Sequence, residues 1–106
     1  MKDRQVRLRD DHYQYVQDSA FTLSGLVREA INDVMEGKDE FPSATSRDTD
    51  EHELIRTSVT VTDEHEEYLR SQDVVFSVFV HQLIEKRMMR ERKLEQLEEE
   101  WEDGLD

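Results

Sequence analysis

Gln5, Arg7 and Arg9 occupy every second position of the segment Arg4–Arg9, with Val6 and Leu8 between them. Successive side chains of a strand point to opposite faces. If Val6 and Leu8 are buried, the other three therefore point outward. Their chemistry is that of base recognition. Arginine offers two N–H donors to guanine O6 and N7, and glutamine pairs one donor and one acceptor with adenine N6 and N7. Ser58, Thr60 and Thr62 alternate in the same way with Val59 and Val61. Their hydroxyls can reach bases or phosphates with less discrimination. No glycine-rich phosphate loop, nucleophile with a positioned base or metal-ligand spacing stands out, so no enzymatic activity, cofactor, metal or small-molecule substrate is expected. His12 and His65 are expected as exposed first-turn residues, and His52 and His81 have no partner at ligand spacing.

These strand residues lie inside a longer repeat. Residues 4–35 and 57–88 align without a gap at an offset of 53. The identities are Val6/Val59, Asp10/Asp63, His12/His65, Tyr15/Tyr68, Ser24/Ser77, Val27/Val80, Ile31/Ile84 and Met35/Met88. Most other apolar positions pair with apolar ones, among them Leu8/Val61, Val16/Leu69 and Leu26/Phe79. A unit of this length cannot bury its own apolar face, so each needs a partner unit. Each is expected to run strand, helix, helix. In the first, the strand is Arg4–Arg9 and a helix follows from about Asp11 to Ser19, with Tyr15, Val16 and Ala20 inward. A second helix is capped by Thr22 and stopped at Glu36-Gly37, where glycine suits the C′ position. Its face of Leu26, Val27, Ala30, Ile31, Val34 and Met35 has helical spacing. In the second, the strand is Thr57–Thr62, one helix runs from about Asp63 to Ser71, and another starts near Val75. That last helix continues past Met88 through Leu94, Leu97 and Trp101, with Gly104 ending it. The organisation expected is a first unit over 1–37, an acidic linker over 38–55, a second unit over 56–90 and an acidic C-terminal helix or tail over 91–106.

The chain has 106 residues, a formal charge of −13 and no cysteine. Disulfides and thiolate metal sites are thereby excluded. No apolar run approaches a membrane span and no signal-peptide pattern opens the chain, so a cytoplasmic protein with no membrane partner is expected. The charge is uneven: −1 over 1–35, −4 over 36–56, −1 over 57–93 and −7 over 94–106. Only four of the fourteen basic residues are lysine. This acid-rich, lysine-poor composition resembles that of salt-in haloarchaeal proteins. In molar salt the Debye length falls to about 3 Å, and distant carboxylates then hardly repel a polyanion.

The strand–helix–helix order, with Leu26-Val27-Arg28-Glu29-Ala30-Ile31 in the second helix, resembles the ribbon-helix-helix family of DNA-binding regulators. The likeness covers both repeats and leaves the linker and tail aside. His81 stands at the Arg28 position of the second copy. The resemblance implies a mainly α fold in which two copies intertwine through a short two-stranded antiparallel ribbon. Here the two copies of one chain are expected to form an intramolecular pseudo-dimer with an extended C-terminal helix, a domain-swapped homodimer being the competing arrangement. The resemblance implies a ribbon inserted into the major groove of double-stranded DNA, with Gln5, Arg7, Arg9, Ser58, Thr60 and Thr62 facing the bases. It also implies phosphate contacts at the starts of the second helices, through Thr22, Ser24 and Gly25 in copy one and Ser77 in copy two. The expected function is sequence-specific transcriptional regulation, repression included. The alternative is an antitoxin or protein-interaction module whose acidic C-terminal helix binds a partner, or a second copy, through Leu94, Leu97 and Trp101.

Overall fold

A computed structural model describes residues 1–103 except Thr45 and Asp48, with side chains described through Leu97. The elements are β1 (Lys2–Arg9), α1 (Asp10–Asp18), α2 (Leu23–Met35), β2 (Leu54–Val61), α3 (Asp63–Ser71) and α4 (Phe76–Asp103). The order strand, helix, helix thus occurs twice. Among the described residues no helix is long and apolar enough to cross a membrane.

β1 and β2 pair antiparallel as a two-stranded sheet. An isolated two-stranded ribbon is marginal in water and needs an apolar face covered by helices. Val6 and Leu8 from β1 and Val59 and Val61 from β2 supply that face, at 0–5% exposure. The helices cover it crosswise: α2 packs on β2, and α4 packs on β1. Val27, Ala30 and Ile31 of α2 and Phe79, Val80 and Ile84 of α4 complete one shared core, with Leu23 and Leu69. Tyr15, Val16 and Tyr68 are partly buried against it. Ala20 is exposed: α1 ends at Asp18, so Ala20 lies beyond the helix face expected to carry it inward.

The helix ends follow local chemistry. The Thr22 hydroxyl accepts from the Gly25 amide at 3.1 Å, and Thr62 caps α3 in the same way through the His65 amide at 3.1 Å. A Cβ on Gly25 would stand 2.8 Å from Thr22 Oγ1, so glycine there leaves room for the cap. α2 stops in a Schellman arrangement: Lys38 N–H bonds Asp33 O and Gly37 N–H bonds Val34 O, with Gly37 at φ +79. β2 begins at Leu54, three residues before the start expected from the repeat, and takes its first residues from the expected linker. The expected stop at Gly104 lies outside the described residues.

Ile31 and Ile84 are equivalent in the sequence repeat, and both are fully buried in the shared core. Ile31→Ala and Ile84→Ala are each expected to cost about 2–5 kcal/mol, measured by urea unfolding. One cooperative transition is expected in both variants, since neither half has a core of its own.

Candidate nucleic-acid interface

The ribbon buries one face and presents the other to solvent. The register sets Asp3 opposite Thr60, Gln5 opposite Ser58 and Arg7 opposite Arg56. Asp3, Gln5, Arg7, Arg56 and Ser58 are exposed and Thr60 is half-buried. Arg7 and Arg56 therefore stand side by side at one end of the face. At the other end, Thr60 Oγ1 donates to Asp3 Oδ1 at 3.1 Å. Arg47, from the segment between α2 and β2, reaches the edge of β1 and donates to the Arg7 carbonyl at 2.5 Å.

Two of the six residues expected to face bases are engaged elsewhere. Arg9 is only 13% exposed. Its Nε and Nη2 donate to the two carboxylate oxygens of Asp11, both at 2.6 Å, and Nη2 also donates to Glu85 Oε1 at 2.8 Å. Two carboxylates within reach outweigh the strand's alternation and fold the guanidinium back onto the helices. Its hydrogen bonds are the main reason that Asp11 titrates at about 2. Thr62 lies beyond the last residue of β2 and is the N-cap of α3. In their place the structure adds Asp3 and Arg56 to the outward face. Arg56 continues the alternation of Ser58 and Thr60 by one step toward the N-terminus. A strand start set at Thr57 hid it.

The starts of α2 and α4 flank the two edges of the ribbon. Ser24 Oγ accepts from the Thr60 amide at 2.9 Å and fastens α2 to β2. Thr22 Oγ1 is taken up by its cap. Each hydroxyl still has its own hydrogen to donate outward. Gly25 is half-buried beneath the cap, and its amide is spent on Thr22. At the start of α4, Ser77 is half-buried, and the Arg4 guanidinium lies 4.7 Å from the Phe76 ring centroid while Arg4 Nε donates to Glu66 at 2.7 Å. Leu94 and Leu97, on the part of α4 beyond the core, are 55% and 60% exposed, as is Met89 at 60%. Trp101 falls among the residues whose side chains are not described.

The histidines at the matching helix starts are buried, contrary to their expected exposure. His12 Nε2 lies 2.6 Å from Glu85 Oε1, joining α1 to α4, and the His81 ring lies beside it, tilted by 49° at 4.5 Å between centroids. His65 Nε2 lies 2.6 Å from Asn32 Oδ1, joining α3 to α2. In the 53-residue alignment Asn32 and Glu85 are equivalent, so the same contact is made twice with different acceptors. His52, which has no partner at ligand spacing in the sequence, bonds the distant Asp10 through Nδ1 at 2.7 Å. Among the described residues, two groups bring three possible ligand atoms within 4.8 Å of one another: His12 with His81 and Glu85, and Asp10 with Asp11 and His52. The spacing rules missed both because their members come from different elements.

Compared with known proteins, the chain matches no family model, no curated protein and no solved structure.

Burial holds the His65 pKa below its usual value, the charge of Glu64 opposing this only in part. The folded state therefore binds this proton less readily than the unfolded chain. The stability from neutral His65 is fully present above the unfolded pKa, about 6.5, and is lost as pH falls below it. Its slope is at most about 1.4 kcal/mol per pH unit for one proton. Urea unfolding from pH 7.5 to 5 is expected to show falling stability, with a shallower slope in His65→Gln, which keeps a hydrogen-bonding partner for Asn32 without the titration.

Proposed function

We propose that this chain is a sequence-specific DNA-binding regulator of the ribbon-helix-helix type, in which residues 1–37 and 54–90 are two fused units that form an intramolecular pseudo-dimer. The observation that carries this reading is the register. Gln5 faces Ser58, and these two residues are also equivalent under the 53-residue sequence repeat. A two-fold axis relating the units must pass through a residue paired with its own equivalent, and this pair meets that condition. The crosswise packing of α2 on β2 and α4 on β1 supports the same symmetry.

The ribbon enters the major groove, whose width admits two strands. Arg7 and Arg56 are the strongest base-reading candidates, Gln5 and Ser58 occupy the centre, and Thr60 and Asp3 lie at the far end. Asp3 accepts hydrogen bonds only and suits a cytosine N4 donor. The site read is asymmetric, because the equivalents of Asp3, Gln5 and Arg7 are Arg56, Ser58 and Thr60. Thr22 and Ser24 donate hydroxyl hydrogens to phosphate at the α2 edge, and Ser77 is the corresponding group at the α4 edge. Arg47 adds charge beside β1. Arg9 and Thr62 act instead as structural supports of the ribbon's ends. The chain acts in a salt-rich interior, where screening shortens the reach of its acidic linker and tail.

The exposure of Met89, Leu94 and Leu97 on a helix that outruns the core favours a second, compatible role: α4 binds a protein partner, as in an antitoxin. A complex with the product of a neighbouring gene, lost on truncation after Met88, tests it.

Selection of bound duplexes from a random pool in concentrated potassium chloride is expected to enrich one asymmetric motif. Arg7→Ala and Arg56→Ala should each weaken binding to it by roughly 1–3 kcal/mol and relax one base preference. Arg9→Ala should instead lower the unfolding midpoint with the base preferences kept. Light scattering is expected to give the mass of one chain, free and at the DNA-binding concentration. An obligate dimer would replace the fused pseudo-dimer with a strand-swapped one, and a pool without enrichment would remove the DNA-reading assignment.

A further inference from the structure

The junction of α1 with α4 carries more polar chemistry than helix packing requires. His12 is fully buried and His81 is 7% exposed, while the Glu85 side chain is one-third exposed. One ligand atom from each of the three lies within 4.8 Å of the others. Nδ1 of His12 and Nδ1 of His81 are buried without a hydrogen-bond partner. Burying such a nitrogen unpaired is unfavourable. His65 Nδ1 at the equivalent junction is unpaired too, so what sets this junction apart is a second imidazole and a carboxylate beside the first ring.

The equivalent junction shows what packing alone needs. There His65 bonds the neutral Asn32, and Arg28 occupies the position of His81. That junction lacks both the carboxylate and the second imidazole. His81 and Glu85 are also one helical turn apart on α4, the spacing that puts two ligands on one face. We propose that His12, His81 and Glu85 form a binding site for a transition-metal dication of the zinc class. Imidazole and carboxylate donors suit that ion, and three protein ligands leave a fourth position for water.

The geometry fits with a small adjustment. Two ligands held at about 2.0 Å from a tetrahedral ion stand about 3.3 Å apart. The 2.6 Å contact between His12 and Glu85 must therefore open. Glu85 reaches solvent and can swing, whereas the two rings are packed. The charged groups around the site are Arg9 and Asp11 at the start of α1, with Arg47 acting on His81 at longer range. Arg9 opposes a cation, but its charge is already matched by the two-pronged pair with Asp11, which remains when the ion takes its place on Glu85. Burial holds the His81 pKa down, leaving a neutral ring able to ligate at neutral pH.

The test is titration of the tag-free full-length protein with zinc ions, followed by calorimetry and by 15N NMR of the imidazoles. One ion per chain is expected, with the His12 and His81 nitrogens shifting and those of His65 unmoved. Glu85→Asn imports the residue of the other junction, so it should keep the metal-free circular dichroism while weakening zinc binding at least about tenfold. His52→Ala should leave the affinity unchanged. The proposal is overturned if the wild-type protein binds no zinc, if only His52 or His65 responds, or if His52→Ala removes the binding. Neither the NMR readout nor the calorimetry involves DNA, so failure here leaves the DNA-reading proposal standing, and the reverse also holds.

Discussion

The antiparallel pairing of β1 with β2 is the contact that every other part of this structure requires. Val6 and Leu8 can leave water only if Val59 and Val61 lie beside them and helices close over all four. Two eight-residue strands whose paired residues run from Arg9 with Leu54 to Lys2 with Val61 must overcome the loop-closure entropy of the chain between them, which grows only slowly with length. A slip of one residue would send the whole apolar row to the solvent side. The core therefore fixes the register, and the register sets which polar positions lie side by side on the outer face. Arg7 meets Arg56 through a decision made by valines and leucines on the opposite face.

That dependence explains what could be read from the sequence. The order of elements, the Thr22 cap, the Gly37 stop and the inward row of Val6, Leu8, Val59 and Val61 are local or periodic properties. They appear where the spacing puts them. What escaped was set by contacts between distant segments. Arg9 belongs by alternation to the outer face, yet Asp11 and Glu85 draw it back, and Glu85 is 76 residues away. His12 and His65 look like polar first-turn residues until the partner helix brings Glu85 or Asn32 to them. Arg56 was lost to an error of three residues in a strand start, the part of an element that periodicity defines least well. Arg47 gives no signal at all, since it lies in an aperiodic segment.

The two halves of the chain share a buried scaffold and differ at the positions where polar chemistry is concentrated. Ile31 and Ile84, Val27 and Val80, and Val6 and Val59 keep both identity and burial. The outer strand residues differ at every equivalent position, and so do the acceptors of the two buried histidines. A homodimer cannot do this, because each change in one subunit appears in the other. Within a single chain each half can change its polar residues independently while the apolar residues keep the register. The same freedom underlies both the asymmetric DNA-reading face and the single metal site proposed above.

The strongly negative charge is compatible with a DNA-facing ribbon because of where it sits. Asp3 is the one carboxylate on the outward face among the described residues, against Arg7 and Arg56. The exposed acids of α3, among them Asp63, Glu64 and Glu67, lie past the strand's end, and seven more follow Leu94. Bare Coulomb repulsion between exposed groups decays over the Debye length, so at high ionic strength only carboxylates within a few ångströms of a phosphate count. In that regime the few cations at the ribbon decide the local interaction, and the overall charge sets solubility. In dilute salt the balance reverses, because the counterion-release term that favours binding must then contend with a field from the acids that is no longer screened. The DNA affinity proposed for this chain should therefore depend less steeply on salt than that of a basic DNA-binding protein with the same number of phosphate contacts, since added salt weakens attractions and repulsions together.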